Sequence, residues 1–144
     1  MKDGRPDHHD AELMLRVYEL RREPVMREAR NAINGQFWPR TADDVMAVTK
    51  PDHPLNAAWR QTTSYWEMVY SFARHGLVAP DFWVESNGEG LFLFAKVLPH
   101  LTRLRSDISP TLLRNTEWVV TQTEEGKRLV GYFGDRVSKV LAAR

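Results

Sequence analysis

Metal chemistry would begin at the five histidines, His8, His9, His53, His75 and His100. His8 and Glu12 are four apart and His9 and Glu12 are three apart. Either pair puts an imidazole and a carboxylate on one helical face, as a metal site requires. Neither an H-E-x-x-H stretch nor the paired Glu-x-x-His of a di-iron bundle is present. No metal site and no cofactor is expected. Glu67 stands between Trp66 and Met68. Buried there, its carboxyl would have a raised pKa and could move protons. The favoured expectation is an ion pair with Arg74, Arg105 or another arginine, or simple exposure. Glu117 beside Trp118 has the same two readings. His100, Arg103 and Arg105 follow Pro99 and could grip a phosphate or carboxylate. A solvated cationic helix end is favoured for them. The serines lack a G-x-S-x-G context and the chain has no cysteine, so no catalytic residue is expected.

Five tryptophans carry the other chemistry. Trp59 and Trp66 read as core or helix interface. Trp38 and Trp83 fall in connectors or short helices. There they could meet a partner, as aromatics do at binding hot spots, or staple a loop to the core.

Composition narrows the classes. The chain has 144 residues, 27% of them charged and 42% hydrophobic, which suits a globular protein. The absence of cysteine excludes disulfides and thiolate metal sites and fits a reducing cytoplasm. The N-terminus is polar, with no signal-like apolar region, and Leu91 to Ala95 is too short to span a bilayer. The formal net charge is +1. Residues 101–144 carry 8 basic and 5 acidic side chains, too slight a tilt for a nucleic-acid binder.

Helical periodicity dominates. Leu13, Val17 and Leu20 open a first segment over 10–34, which Pro24 should kink or break. Thr41 and Asp44 cap a short helix to Val48. Trp59, Thr62, Trp66, Val69 and Ala73 form a seam on a central helix over 54–75, ended by His75-Gly76. A short helix starts at Pro80, and Asn87-Gly88-Glu89-Gly90 is a turn or break. A helix over 91–105 should bend at Pro99. Ser109-Pro110 reads as a helix start, with that helix ending near Val120. Thr121 to Glu124 spells a capping box for the last helix, whose core stripe is Leu129, Tyr132, Phe133, Arg136, Val137 and Val140. The expected fold is all-α. It is a single-domain bundle of five or six helices over 10–144, three or four of them long and kinked at prolines, after a polar flexible stretch 1–9.

Tyr65-Trp66-Glu67, Arg74-His75-Gly76-Leu77 and Asp81, followed by the apolar block Leu91 to Pro99, Arg105 and Glu117-Trp118, resemble an uncharacterised bacterial all-helical family. It is filed as a domain of unknown function. The resemblance runs over residues 10–140 in order. It implies a helical fold and no known activity. In other members a membrane helix often precedes the domain, and the polar N-terminus here does not match that part.

Two functions remain. The leading expectation is a non-enzymatic protein–protein interaction or regulatory module in the cytoplasm, as a homodimer or with an unknown protein partner. The alternative is a small-ligand or enzymatic pocket between helices, lined by Trp59, Trp66, Phe94 and Trp118. Its polar anchors would be Glu67, His100, Arg103 or Arg105. Attachment of the basic C-terminal third to a membrane or nucleic acid is the weakest reading.

Overall fold

The computed structural model describes residues 5–144 and is all-α, with no strand among them. The helices are α1 His8–Arg22, α2 Pro24–Gln36, α3 Ala42–Val48, α4 Asn56–Arg74 and α5 Pro80–Ser86. They continue as α6 Gly90–Val97, α7 Leu101–Asp107, α8 Arg114–Gln122 and α9 Glu124–Ala143. A 3₁₀ turn, Leu98–His100, joins α6 to α7. The chain is cut into more helices than the five or six expected, and prolines do most of the cutting.

At Pro24 the expected kink is a full break. Glu23 takes an extended conformation, as residues before proline prefer, and its side chain accepts from the Met26 amide to cap α2. At Pro99 the bend becomes the 3₁₀ turn. The N-terminal cap of α1 is a reciprocal pair of Asp7 and Asp10, so this helix begins inside the stretch expected to be flexible. Met1 to Gly4 of that stretch lie outside the described residues.

Two helix starts differ from the sequence signals. Ser109-Pro110 only begins a turn, and α8 starts at Arg114 after Leu113 in the left-handed region at φ 58°. No local side chain caps this start. Glu67 does so from α4: its carboxylate accepts from the Asn115 amide at 3.1 Å and the Thr116 amide at 2.8 Å. A tertiary cap has therefore displaced the local one. For α9 the cap is Thr123 rather than Thr121, and its hydroxyl accepts from the Gly126 amide at 2.8 Å.

One contiguous core runs through the molecule. Helix α4 sits between α2 and α8 and buries Trp59, Thr62, Tyr65, Trp66, Val69, Tyr70 and Ala73. Helix α6 packs on α9, and seven of its eight residues are buried, all but Phe92. Gly90 marks the tightest approach: a Cβ there would lie 2.6 Å from the Trp66 ring and 2.7 Å from the Tyr70 hydroxyl. Gly90→Ala should therefore cost about 1–3 kcal/mol of stability, as overpacking does. A urea midpoint that falls with an unchanged m-value would confirm it.

Candidate functional site

The α5–α6 turn, expected as a turn or break, is the hub of a buried polar network. Arg21 of α1 reaches it with a side chain that is 8% exposed. Its guanidinium donates to Asn87 Oδ1 at 2.8 Å, to the Ser86 carbonyl at 3.4 Å and to the Tyr65 hydroxyl at 3.4 Å. It also lies 5.4 Å from the ring centres of Trp66 and Tyr18. The Tyr65 hydroxyl donates to the Val17 carbonyl and the Tyr70 hydroxyl to the Asn87 carbonyl, at 2.5 and 2.6 Å. Burial pushes both phenols above their ordinary value, so both stay protonated donors.

Glu89 completes the turn and links it to α2. One carboxylate oxygen accepts from Arg30 Nε at 2.9 Å and Nη2 at 2.5 Å. The other accepts from the Asn34 amide group. Arg30 also donates to the Arg21 carbonyl at 3.0 Å. Glu89 thus has both oxygens engaged, which makes it a positioning group rather than a free base.

Beside this turn lies an open cleft of about 730 Å³. One wall is the C-terminal end of α2 with Trp38. The floor is Phe92 and Gly88, and the other wall is α9 with Leu129, Phe133, Arg136 and Val140. Trp38 and Phe92 meet edge to face at 5.8 Å, and Phe92 and Phe133 at 5.5 Å. Tyr132 continues the row at 5.5 Å from Phe133 and is 58% exposed. The stripe on α9 that reads as core is therefore only partly covered. Val137 is buried, whereas Phe133 and Val140 are half-buried and Arg136 is exposed.

Under the floor lies Lys96, 2% exposed. Its ammonium donates at 3.1 Å to the carbonyls of Ile33 and Asn34, which belong to the last turn of α2. It therefore acts as a cationic cap on that helix end. The same nitrogen lies 3.9 Å from the Trp38 ring centre and 4.6 Å from that of Phe92. Burial lowers this ammonium to about 7, with the Arg144 charge as a smaller cause. The carbonyls and ring faces oppose that shift.

The sequence candidates lie elsewhere for the most part. Trp59 is buried against Phe37 at 5.6 Å, and Trp66 is buried and stacked on Tyr70 at 5.7 Å. Trp118 is half-buried against the core. Glu67 caps α8 and also accepts from the Thr116 hydroxyl at 2.6 Å. Arg105 bonds the Leu112 carbonyl and pairs with Glu117 at 3.0 Å. Arg103 is held by Asp43 at 2.6 Å and Asp107 at 3.3 Å. His100 faces a separate recess of about 380 Å³ with Arg40 and Asp135. These residues do not converge. A space of about 10 Å³ lies between Trp66 and Phe94, at the lower limit for one water. Trp83 is fully buried and donates to the Val69 carbonyl at 2.8 Å, so it cannot reach a partner. Trp38 does line the open cleft.

Sequence reasoning missed Arg21, Arg30, Asn34, Glu89, Phe92 and Lys96. Two signals were available. Asn87 to Gly90 is a polar run between two apolar helices, and Lys96 is the one charge in the block Leu91 to Val97. Among the described residues, no group of three or more His, Asp or Glu could hold a metal ion, and no helix is long and apolar enough to cross a membrane.

A family model described as a domain of unknown function, DUF4760, matches residues 6–123. The chain belongs to this family. Neither a curated protein nor a solved structure matches it. The family match ends one residue before α9. It therefore takes in the polar hub, the α2 wall and the cleft floor, while the α9 wall lies beyond it.

Lys96 gives a pH prediction with a definite sign. Its folded value of about 7 lies below the 10.5 of an unperturbed lysine. Between these values the unfolded chain binds more protons, so stability rises with pH, by at most about 1.4 kcal/mol per unit. Urea midpoints at pH 7 and pH 9 should show this gain in the wild type and lose it in Lys96→Met. An equal gain in both would assign the effect to another group.

Proposed function

We propose that this protein is a non-enzymatic binding module that seats a polypeptide partner in the cleft between α2, α6 and α9. The row of Trp38, Phe92 and Phe133 along an open cleft, extended outside it by the exposed Tyr132, carries the reading. Aromatic side chains that are rigid and only partly covered favour association, because few rotamers are lost when they are buried. The cleft is open along its length, which suits a segment of chain better than an enclosed metabolite. Its two partly buried carboxylates are already paired, Glu89 with Arg30 and Asn34 and Glu125 with Arg128. A second copy of this chain is one partner the cleft could accept, which keeps the homodimer within the proposal.

A photo-crosslinker tests the assignment. With p-benzoylphenylalanine in place of Asn31, which lines the cleft, irradiation in cells should give a polypeptide adduct. The adduct should disappear when Phe133→Asp is added, and should not form from Thr102 on α7. An adduct of twice the 16.7 kDa mass would make the partner a second copy. Identical adducts from both positions, or none from Asn31, would contradict the assignment.

A further inference from the structure

We infer that the partner segment is acidic and carries aromatic or large aliphatic side chains, and that it lies in one direction along the cleft. This rests on the binding-module reading and specifies the chemistry of the partner. Of the cations around the cleft, Arg30 and Arg128 already have carboxylates, Glu89 and Glu125. Lys96, Arg136 and Arg144 make no ion pair with any described residue. All three gather around two rings. The Arg136 guanidinium is 5.7 Å from the Phe92 ring centre, and that of Arg144 is 5.6 Å from the Trp38 ring centre. Lys96 lies against both rings from within.

These three have separate tasks. Lys96 is buried and bound to carbonyls, so it holds the end of α2 and makes no contact with the partner. Arg136 and Arg144 are exposed, and a guanidinium stacked on a ring keeps its edge N–H groups free for a carboxylate. An acidic side chain above Phe92 and Trp38 would meet them, and an adjoining apolar side chain would cover Phe133.

The direction follows from the other end. Glu85 and the Glu125–Arg128 pair line the cleft beside Leu129 and offer no net positive charge. Acidic residues are disfavoured there and favoured at the Trp38 end. Along α9, Glu125 to Val140 spans about 22 Å, the reach of about seven extended residues.

Two fluorescein-labelled heptapeptides test this. Both contain the same phenylalanines and leucines, and they differ in carrying three aspartates or three lysines at the end meant for Trp38. By fluorescence anisotropy in low salt, the aspartate peptide should bind about tenfold tighter, the worth of two exposed ion pairs. Arg136→Glu with Arg144→Glu should abolish or invert that preference, and thermal melts would confirm that the variant folds. Phe133→Asp should weaken both peptides. A lysine peptide that binds as tightly, or no response to the arginine changes, would overturn the acidic partner. If that equal binding were lost in Phe133→Asp, the cleft would remain a peptide groove. Binding of neither peptide would also overturn the inference. Pelleting of the chain on phosphatidylglycerol vesicles in that case would assign the cations to a lipid surface.

Discussion

The rest of the structure depends on one buried cation, the guanidinium of Arg21, which has no carboxylate against it among the described residues. A charge taken from water must be compensated by hydrogen bonds and polarisable groups or it is expelled. Here Asn87, Ser86 and Tyr65 supply acceptors, and Trp66 and Tyr18 supply ring faces. The acceptors come from α4 and from the α5–α6 turn, so satisfying Arg21 fixes where that turn must be. Once the turn is fixed, Glu89 meets Arg30 and Asn34, and Gly90 slides under Trp66. Helix α6 then enters at the angle that puts Phe92 on the cleft floor and Lys96 beneath it.

Short helices make such long-range ties necessary. Helices α3, α5, α6 and α7 have eight residues or fewer and would not persist alone. The same logic explains Glu67. A carboxylate on the central helix closes the start of α8, whose own sequence provides no cap. Buried and half-buried polar groups in this protein therefore act as fasteners between elements. The cleft, by contrast, leaves Trp38, Phe92 and Phe133 only partly covered, and Arg136 on its wall has no ion pair among the described residues.

The parts legible in sequence were those set by local chemistry. Proline and capping residues place the breaks at 24 and 99 and the starts of α3 and α5, and the seam on α4 identifies the central helix. The parts that were not legible depend on partners distant in sequence. Arg21 and Asn87 are 66 residues apart, and Glu67 and Thr116 are 49 apart. No periodicity links such pairs. Amphipathic spacing also cannot separate a covered stripe from an open one. Leu129, Phe133, Arg136 and Val140 have core spacing, yet α6 is too narrow to cover them all, and the uncovered part is the cleft wall. Trp38 could be picked out because it stands in a connector, but Trp83, with a similar setting in sequence, is sealed in the core.

The floor of the cleft, Phe92 and Gly88, is held in place through Arg21 and the turn it fixes. Native-state hydrogen exchange at the Leu91 and Phe92 amides, which bond the carbonyls of Gly88 and Glu89 across the turn, measures this directly. In the wild type both amides should exchange only through global unfolding. In Arg21→Met they should open locally, well before the amides of α4. Rapid exchange of these two amides in the wild type, or exchange unchanged by Arg21→Met, would contradict the account.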